Sequence, residues 1–374
     1  MTRSLLPAPC SLLPEGFRDR LPPHADAAAT VEAQVLNVAR LHGYERVDPP
    51  LAEYADGLAT RLKAGALRDA VRFVDPVSQA TLAIRPDLTA QVARVAATRM
   101  GHHPRPVRLS YAGTTLRLRA PELSPERERR QLGCELIGLD SVAAAREVVT
   151  VAAEALAAAG ARGLSIDFTL PDLVDTLAAA PLPTSHVDEL RARLDAKDAG
   201  GVAAIAPAYL PLIEAAGPFA PALARLRAFD ATGALASRLD GLAAIADAVG
   251  GLATLTLDPT ERHGFEYQSW LGFSLFVADA SQEVGRGGAY RIVHESGAEE
   301  PATGFTLYPD RLATAAAPER RRLFLPLGTP QADAARLRSQ DWVAVAALDP
   351  HDTPQAQLCT HIWSKGAVAT LTES

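Results

Sequence analysis

Between Ala25 and Leu41 apolar residues recur at helical spacing, with Val31, Val35 and Val38 on one stripe and Gly43 just beyond, where a helix ending favours glycine. The pattern predicts an amphipathic helix whose stripe needs burial. Tyr44 to Val47 and the Pro49-Pro50 pair then read as a short strand closed by a turn, because proline cannot donate to a sheet ladder. A second helical run through Leu88, Val92 and Val95 stops at Gly101, which puts Asp87 near its N-terminus; the plain reading of Asp87 is an N-cap.

Val107, Leu109 and Tyr111 alternate with Arg108 and Ser110, a period-two strand signal, and Leu116 to Arg119 reads as a further strand. From Arg130 to Gly138 the alternation sets Leu132, Cys134 and Leu136 on one face and a polar floor of Gln131, Gly133 and Glu135 on the other. Small Gly133 is expected to leave room for a ligand there. The Arg- and Glu-rich stretch from Ala120 to Arg129 suggests a long hairpin loop, and Asp140-Ser141 can cap an Ala-rich helix ending at Gly160. A strand near Ser165 to Leu170 follows.

Residues 171–251 turn to Ala and Leu with scattered charges, which reads as a helical insertion. Sheet patterning returns from Phe265 to Val277, pauses at Gly285 to Gly288, and resumes through Tyr290 and Gly304 to Leu307. After Pro318 strand, helix, strand, helix and strand patterns alternate. The expected organisation is a core over 1–318, interrupted by the insertion at 171–251, and a short C-terminal α/β domain over 319–374.

Composition narrows the function class. The 374 residues, 48% of them apolar, suffice for a sizeable core. Lys and Arg number 37 against 44 Asp and Glu, and the net charge of −7 disfavours nucleic acid as a main partner. No apolar run reaches the ~18 residues of a membrane span, so no membrane partner is expected. Cys10, Cys134 and Cys359 lie far apart, which fits a reducing cytoplasm. The 9 histidines show no metal-ligand spacing, and nucleotide or zinc signatures such as GxxxxGK[ST] and HExxH are absent, so neither a metal nor a cofactor is implied.

A spaced set of weaker motifs says more: Gly43-Tyr44, Pro50 and Glu53, Arg85-Pro86-Asp87-Leu88-Thr89, Gln131-x-Gly133-x-Glu135, Gly264-Phe265-Glu266-Tyr267, Gly287-Gly288-x-Tyr290, and Gly304-Phe305 with Arg311. In this order and separation, from about Leu13 to Leu312, the set resembles the catalytic core of histidyl-tRNA synthetases and their paralogues. The resemblance implies an α+β fold, a class II synthetase-like antiparallel sheet flanked by helices. It also implies that Asp87, Thr89, Gln131 and Glu135, with Tyr267, hold histidine, Asp87 and Glu135 facing its ammonium group.

Two families share this scaffold, the tRNA-charging enzyme and the regulatory subunit of short-form ATP phosphoribosyltransferase, and departures from the synthetase pattern separate them. Its Arg-x-Glu pair for ATP reads Arg117-Leu118-Arg119 here, which replaces the adenine acceptor by a cation. Ser124-Pro125-Glu126 stand for its Gly-Arg-Tyr, His263 for the Arg that serves the developing adenylate, Gln268 for a Tyr, and Ala289 and Arg291 for Arg and Asp. Arg262 precedes His263, and on an extended segment it would point to the opposite face. The tail is also shorter than the enzyme's anticodon-binding domain. The resemblance therefore implies a non-catalytic regulatory subunit that activates the catalytic subunit of ATP phosphoribosyltransferase and mediates histidine feedback at the first step of histidine biosynthesis, as a hetero-oligomer and with a homodimer built around Ala25 to Glu53. A working histidyl-tRNA synthetase and a free-standing histidine sensor are the alternatives.

Overall fold

The computed structural model describes residues 12–59, 69–119, 125–262, 264, 268–294, 296–312 and 321–371. The chain forms two compact units, Met1–Ala316 and Ala317–Ser374. The first opens with α1 (His24–Leu41), β1 (Glu45–Arg46), β2 (Ala52–Tyr54), α2 (Ala55–Ala59), β3 (Arg72–Val74), β4 (Thr81–Ile84) and α3 (Thr89–Thr98). The strands β5 (Val107–Leu116) and β6 (Glu128–Ile137) come next, then α4 (Val142–Ala158) and β7 (Ser165–Thr169). Residues 171–251 fold into α5 (Leu173–Ala179), α6 (Val187–Asp195), α7 (Ala199–Ile205), α8 (Pro211–Glu214), α9 (Phe219–Phe229) and α10 (Ala236–Val249), with a short β8 (Gly217–Pro218). The unit closes with β9 (Thr254–Leu257), β10 (Gln268–Phe276), β11 (Gly285–Val293), β12 (Glu299–Leu307) and α11 (Pro309–Leu312).

Nine of these strands make one sheet in the order β1-β5-β6-β12-β11-β10-β7-β9-β8. Its centre is antiparallel, and the pairs β1/β5 and β7/β9 are parallel. One face carries the main core. There α4 buries Val148, Val149, Ala152 and Leu156 together with Leu132, Cys134 and Leu136 of β6. Each Val or Leu so buried contributes ~1.5–3 kcal/mol. The α4 start is the one its sequence announces, since Ser141 caps it by accepting from the Ala144 N–H at 3.1 Å. On the other face Leu88, Val92 and Ala96 of the α3 region pack on Leu109, Tyr111 and Ile137.

Several expectations change. The α1 stripe is covered by its own chain: Val31 and Val35 are buried in the main core and Val38 packs on it, so the stripe no longer calls for a second copy. Leu116 to Arg119 is no separate strand, because β5 runs unbroken to Leu116 and Arg117 adds one isolated bridge to Ala70. The glycine cluster does not interrupt the sheet. Gly285, Gly287 and Gly288 lie within β11, where an added Cβ would overlap backbone or side-chain atoms of the neighbouring strands.

The second unit orders its sheet β14-β13-β15-β16, from β13 (Arg322–Leu325), β14 (Val343–Ala346), β15 (His361–Ser364) and β16 (Ala367–Thr370), with α12 (Gln331–Ser339) on Leu323, Leu325 and Trp363. The helix expected after β14 is absent. Pro350 and Pro354 remove donors there, and the Asp352 carboxylate accepts from the Leu348 and Asp349 N–H groups to form turns. The chain then ends in a hairpin around Lys365 and Gly366, both at positive φ.

Gly133 faces Tyr111 on β5 and Thr306 on β12. A Cβ at this position would overlap the Phe305 carbonyl and come within 2.7 Å of the Tyr111 hydroxyl oxygen. Gly133→Ala must spread the sheet, and a loss of about 1–3 kcal/mol is expected in urea unfolding. A midpoint equal to that of the parent would contradict the register.

Candidate functional site

The α3 face of the sheet collects the polar residues. Directly opposed residues share a face, so the register aligns Leu109, Glu135, Gly304 and Gly288 in one row and Tyr111, Gly133 and Thr306 in the next. Glycine at 304 lets the Glu135 side chain lie flat over β12, because a Cβ there would overlap its carboxyl group. Gln268 lies over Gly288 in the same way.

Glu135 is 1% exposed and is the most confined acid of this face. Its Oε1 accepts from the Tyr111 hydroxyl at 3.2 Å, and its Oε2 from the Tyr290 hydroxyl at 2.8 Å. Thr306 Oγ1 and Thr89 Oγ1 lie 2.8 and 3.3 Å from the Tyr111 hydroxyl. Burial raises the Glu135 pKa to about 8, the nearby Asp87 charge adds to the rise, and the hydroxyl donors oppose it. The acid is therefore largely protonated at neutral pH.

At the start of α3, Asp87 and Gln131 form a reciprocal clasp. The Gln131 amide donates to Asp87 Oδ2 at 3.0 Å while its Oε1 accepts from the Leu88 N–H at 3.1 Å. Asp87 is not the N-cap, which is Leu88 without a side-chain cap bond; it precedes the cap, and its Oδ1 accepts from the Thr89 N–H at 2.8 Å in a local turn bond. Asp87, Thr89, Gln131 and Glu135 thus come together on one face. The space beside Gly133 is not vacant, as the sequence suggested, but taken by the Tyr111 hydroxyl and the Phe305 carbonyl.

Other predicted positions scatter. Gln268 is buried on this face, and its Oε1 has no hydrogen-bond partner among the described residues. Tyr267 and His263 lie outside the described residues, as does Ser124. Arg117 is half-buried and Arg119 exposed at the end of β5, while Arg311 stacks over Tyr308 and donates to the Glu283 carbonyl. Ala289 and Arg291 point to the other face of β11, where Arg291 lies 3.7 Å from Asp140 and from Glu299. Arg262 lies against the insertion. It lines a small cavity with Arg191 and Leu194, and its N–H donates to Asp195 at 2.7 Å.

Sequence alone missed Tyr111 as a partner of Glu135 and Thr306 as the partner of the Tyr111 hydroxyl. Both looked like ordinary alternating strand residues, and the signal that marks them is their register opposite Gly133. Glu53 and Arg85, part of the spaced motif set, serve the scaffold. Glu53 takes Gln91 at 2.9 Å and Arg94 at 3.0 Å, and Arg85 donates to the carbonyls of Pro49 and Thr114, both at 2.7 Å.

Residues 16–312 match the family model described as histidyl-tRNA synthetase. The chain is 45% identical over 357 residues to an ATP phosphoribosyltransferase regulatory subunit of Paramagnetospirillum magneticum, covering 93% of each chain. It is 43% identical to that of Rhodospirillum centenum, covering 98% of each. Among solved structures, an ATP phosphoribosyltransferase regulatory subunit/histidyl-tRNA synthetase from Bacillus halodurans superposes with a TM-score of 0.77 at 21% identity, over 96% of this chain and 97% of that one. The apo histidyl-tRNA synthetase of S. aureus superposes with a TM-score of 0.62 at 20% identity, over 94% and 90%. These last two bear on the fold alone.

The raised acid has a signed consequence. The folded state holds the Glu135 proton up to about pH 8, whereas the unfolded chain releases it near the ordinary 4.5. Folding then binds protons across that window, so this group's contribution to stability falls as pH rises from 4.5 to 8, by at most about 1.4 kcal/mol per pH unit. Glu135→Gln should be less pH-dependent than the parent over the same range in denaturant titrations. Parallel curves for the two proteins would refute a buried, protonated Glu135.

Proposed function

This chain belongs to the family of ATP phosphoribosyltransferase regulatory subunits, built on the histidyl-tRNA synthetase fold, and on that premise we propose that it binds and activates a separate catalytic subunit and conveys histidine feedback to it. It is a non-catalytic subunit of that transferase, not a charging enzyme.

The observation that carries the reading is a contrast between a buried network and an exposed position beyond β5. The amino-acid end keeps Asp87, Thr89, Gln131 and Glu135 in one bonded network, while the position expected to accept the adenine amino group holds an exposed Arg119. Each Asp87 oxygen accepts one of the hydrogen bonds described above, and a carboxylate has about four acceptor sites, so capacity for an ammonium group remains. A cation beside Glu135 favours its ionised form, which couples histidine uptake to proton release. The partner's catalytic subunit, in this reading, senses the closed or opened state of the clasp. Differential binding of ~1–3 kcal/mol between two states is enough for such coupling.

The test combines the purified chain with the short catalytic subunit. Phosphoribosyl transfer should rise only when both are present, and the chain alone should show no histidine-dependent ATP–pyrophosphate exchange. Asp87→Ala should weaken histidine inhibition roughly tenfold to a hundredfold, the loss of one charge-assisted contact, while activation persists. Unchanged inhibition in a folded variant would place the effector site elsewhere.

A homodimer is part of the proposal. With the α1 stripe covered, its support shifts to the small sheet β2-β4-β3 and the loop beside it, where Tyr54, Val74 and Val77 are 59%, 61% and 90% exposed. Light scattering at micromolar concentration should return the dimer mass without any partner, and a monomer mass would remove this element.

A further inference from the structure

The segment between β9 and β10 is fastened to the insertion. Lys197 Nζ donates to Asp258 Oδ1 at 2.6 Å, the Thr260 hydroxyl to the Leu194 carbonyl at 3.4 Å, and the Arg262 N–H to Asp195 Oδ1 at 2.7 Å. A cavity stays open inside this seam. Its lining includes Leu173 of α5, Arg191 and Leu194 of α6, and Thr260, Glu261 and Arg262 of the segment.

Both arginines bring an unused donor, since Arg191 Nε and Arg262 Nε are buried without a hydrogen-bond partner among the described residues. The terminal nitrogens of Arg191 are taken, Nη1 by Asp188 at 2.6 Å and Nη2 by Asp175. No described acid pairs with the Arg262 guanidinium. Burial and then the Arg262 charge lower the Arg191 pKa, as for two cations turned toward one cavity. Glu261, the acid of the lining, is a poor counter-charge: burial and then the charges of Asp167 and Asp258 raise its pKa, and the cations opposing the rise are Arg286 and Lys197. A water molecule would accept from both Nε–H groups yet leave like charges facing each other, whereas an anion answers both.

We propose that this cavity is a binding site for a monatomic anion of the halide class, held between Arg191 and Arg262. The space, about 10 Å³, is room for one water-sized particle and too small for a carboxylate or phosphate group. Chloride is the member of that class that cells supply. Bound there, it joins α6 of the insertion to the segment that leads to Gly264, and so fastens the insertion to the core. The site rests on these two arginines and does not depend on the amino-acid end or on activation of a partner.

Crystals of the full chain soaked in sodium bromide test the site directly, because bromide replaces chloride and scatters anomalously. An anomalous peak between the two Nε atoms is expected, and a water there without anomalous signal overturns the proposal. In solution, sodium chloride should raise the melting temperature more than sodium gluconate at equal ionic strength, since gluconate is too large to enter. Arg262→Met removes a donor and its charge, so the affinity for chloride should fall roughly tenfold to a hundredfold and the chloride excess should vanish. Arg191 is left in place because its pair with Asp175 joins α5 to α6. Arg262→Gln supplies the same comparison should the methionine variant fold poorly. A chloride excess equal in the parent and a folded variant, or none in the parent, overturns the site; bromide in the crystal without that excess is an adventitious ion only.

Discussion

A carboxyl group with 1% exposure in the middle of a sheet is the constraint on which the surrounding structure depends. Ionised and unpaired it would be very costly to bury, so it needs donors and tends to keep its proton. Tyr111 and Tyr290 supply the donors from strands on either side, Thr306 and Thr89 adjoin the Tyr111 hydroxyl, and Gly304 leaves the side chain space to lie down. Those demands link β5, β6, β11, β12 and the first turn of α3. A one-residue slip in any of these strands would turn a partner to the opposite face.

The same face divides chemically along its length. Near Glu135 the lining is acid and hydroxyl; at the clasp an amide joins a carboxylate; past it the lining is guanidinium. An acidic end suits a cation.

The buried network is closed onto itself. Gln131 uses both its amide and its carbonyl on the 87–88 segment, and Thr89 lies beside Tyr111. A ligand entering here must exchange these bonds for its own, so the start of α3 would respond to binding. Such an exchange between internal and ligand-made hydrogen bonds is a physical basis for a two-state element, because satisfied polar groups resist intermediate arrangements.

Much of this was legible in the chain itself. Alternation in β6 separated Gln131, Gly133 and Glu135 from Leu132, Cys134 and Leu136, and helical spacing located α1, α3 and α4, because side-chain direction follows backbone period. The ordered motif set placed the family, and four of its residues, Asp87, Thr89, Gln131 and Glu135, come together on one face of the structure. Tertiary structure alone decided what each glycine is for. Gly133 read as an opening and proved to be the seat of Tyr111; the Gly285 to Gly288 run read as a pause in the sheet and proved to be a strand under close contact. It alone covered the α1 stripe from within, and it alone showed that Arg129 Nε and Nη2 have no hydrogen-bond partner among the described residues. Periodicity fixes which way a residue points, but what it meets depends on strand register and on segments distant in the chain, and local sequence does not encode those distances.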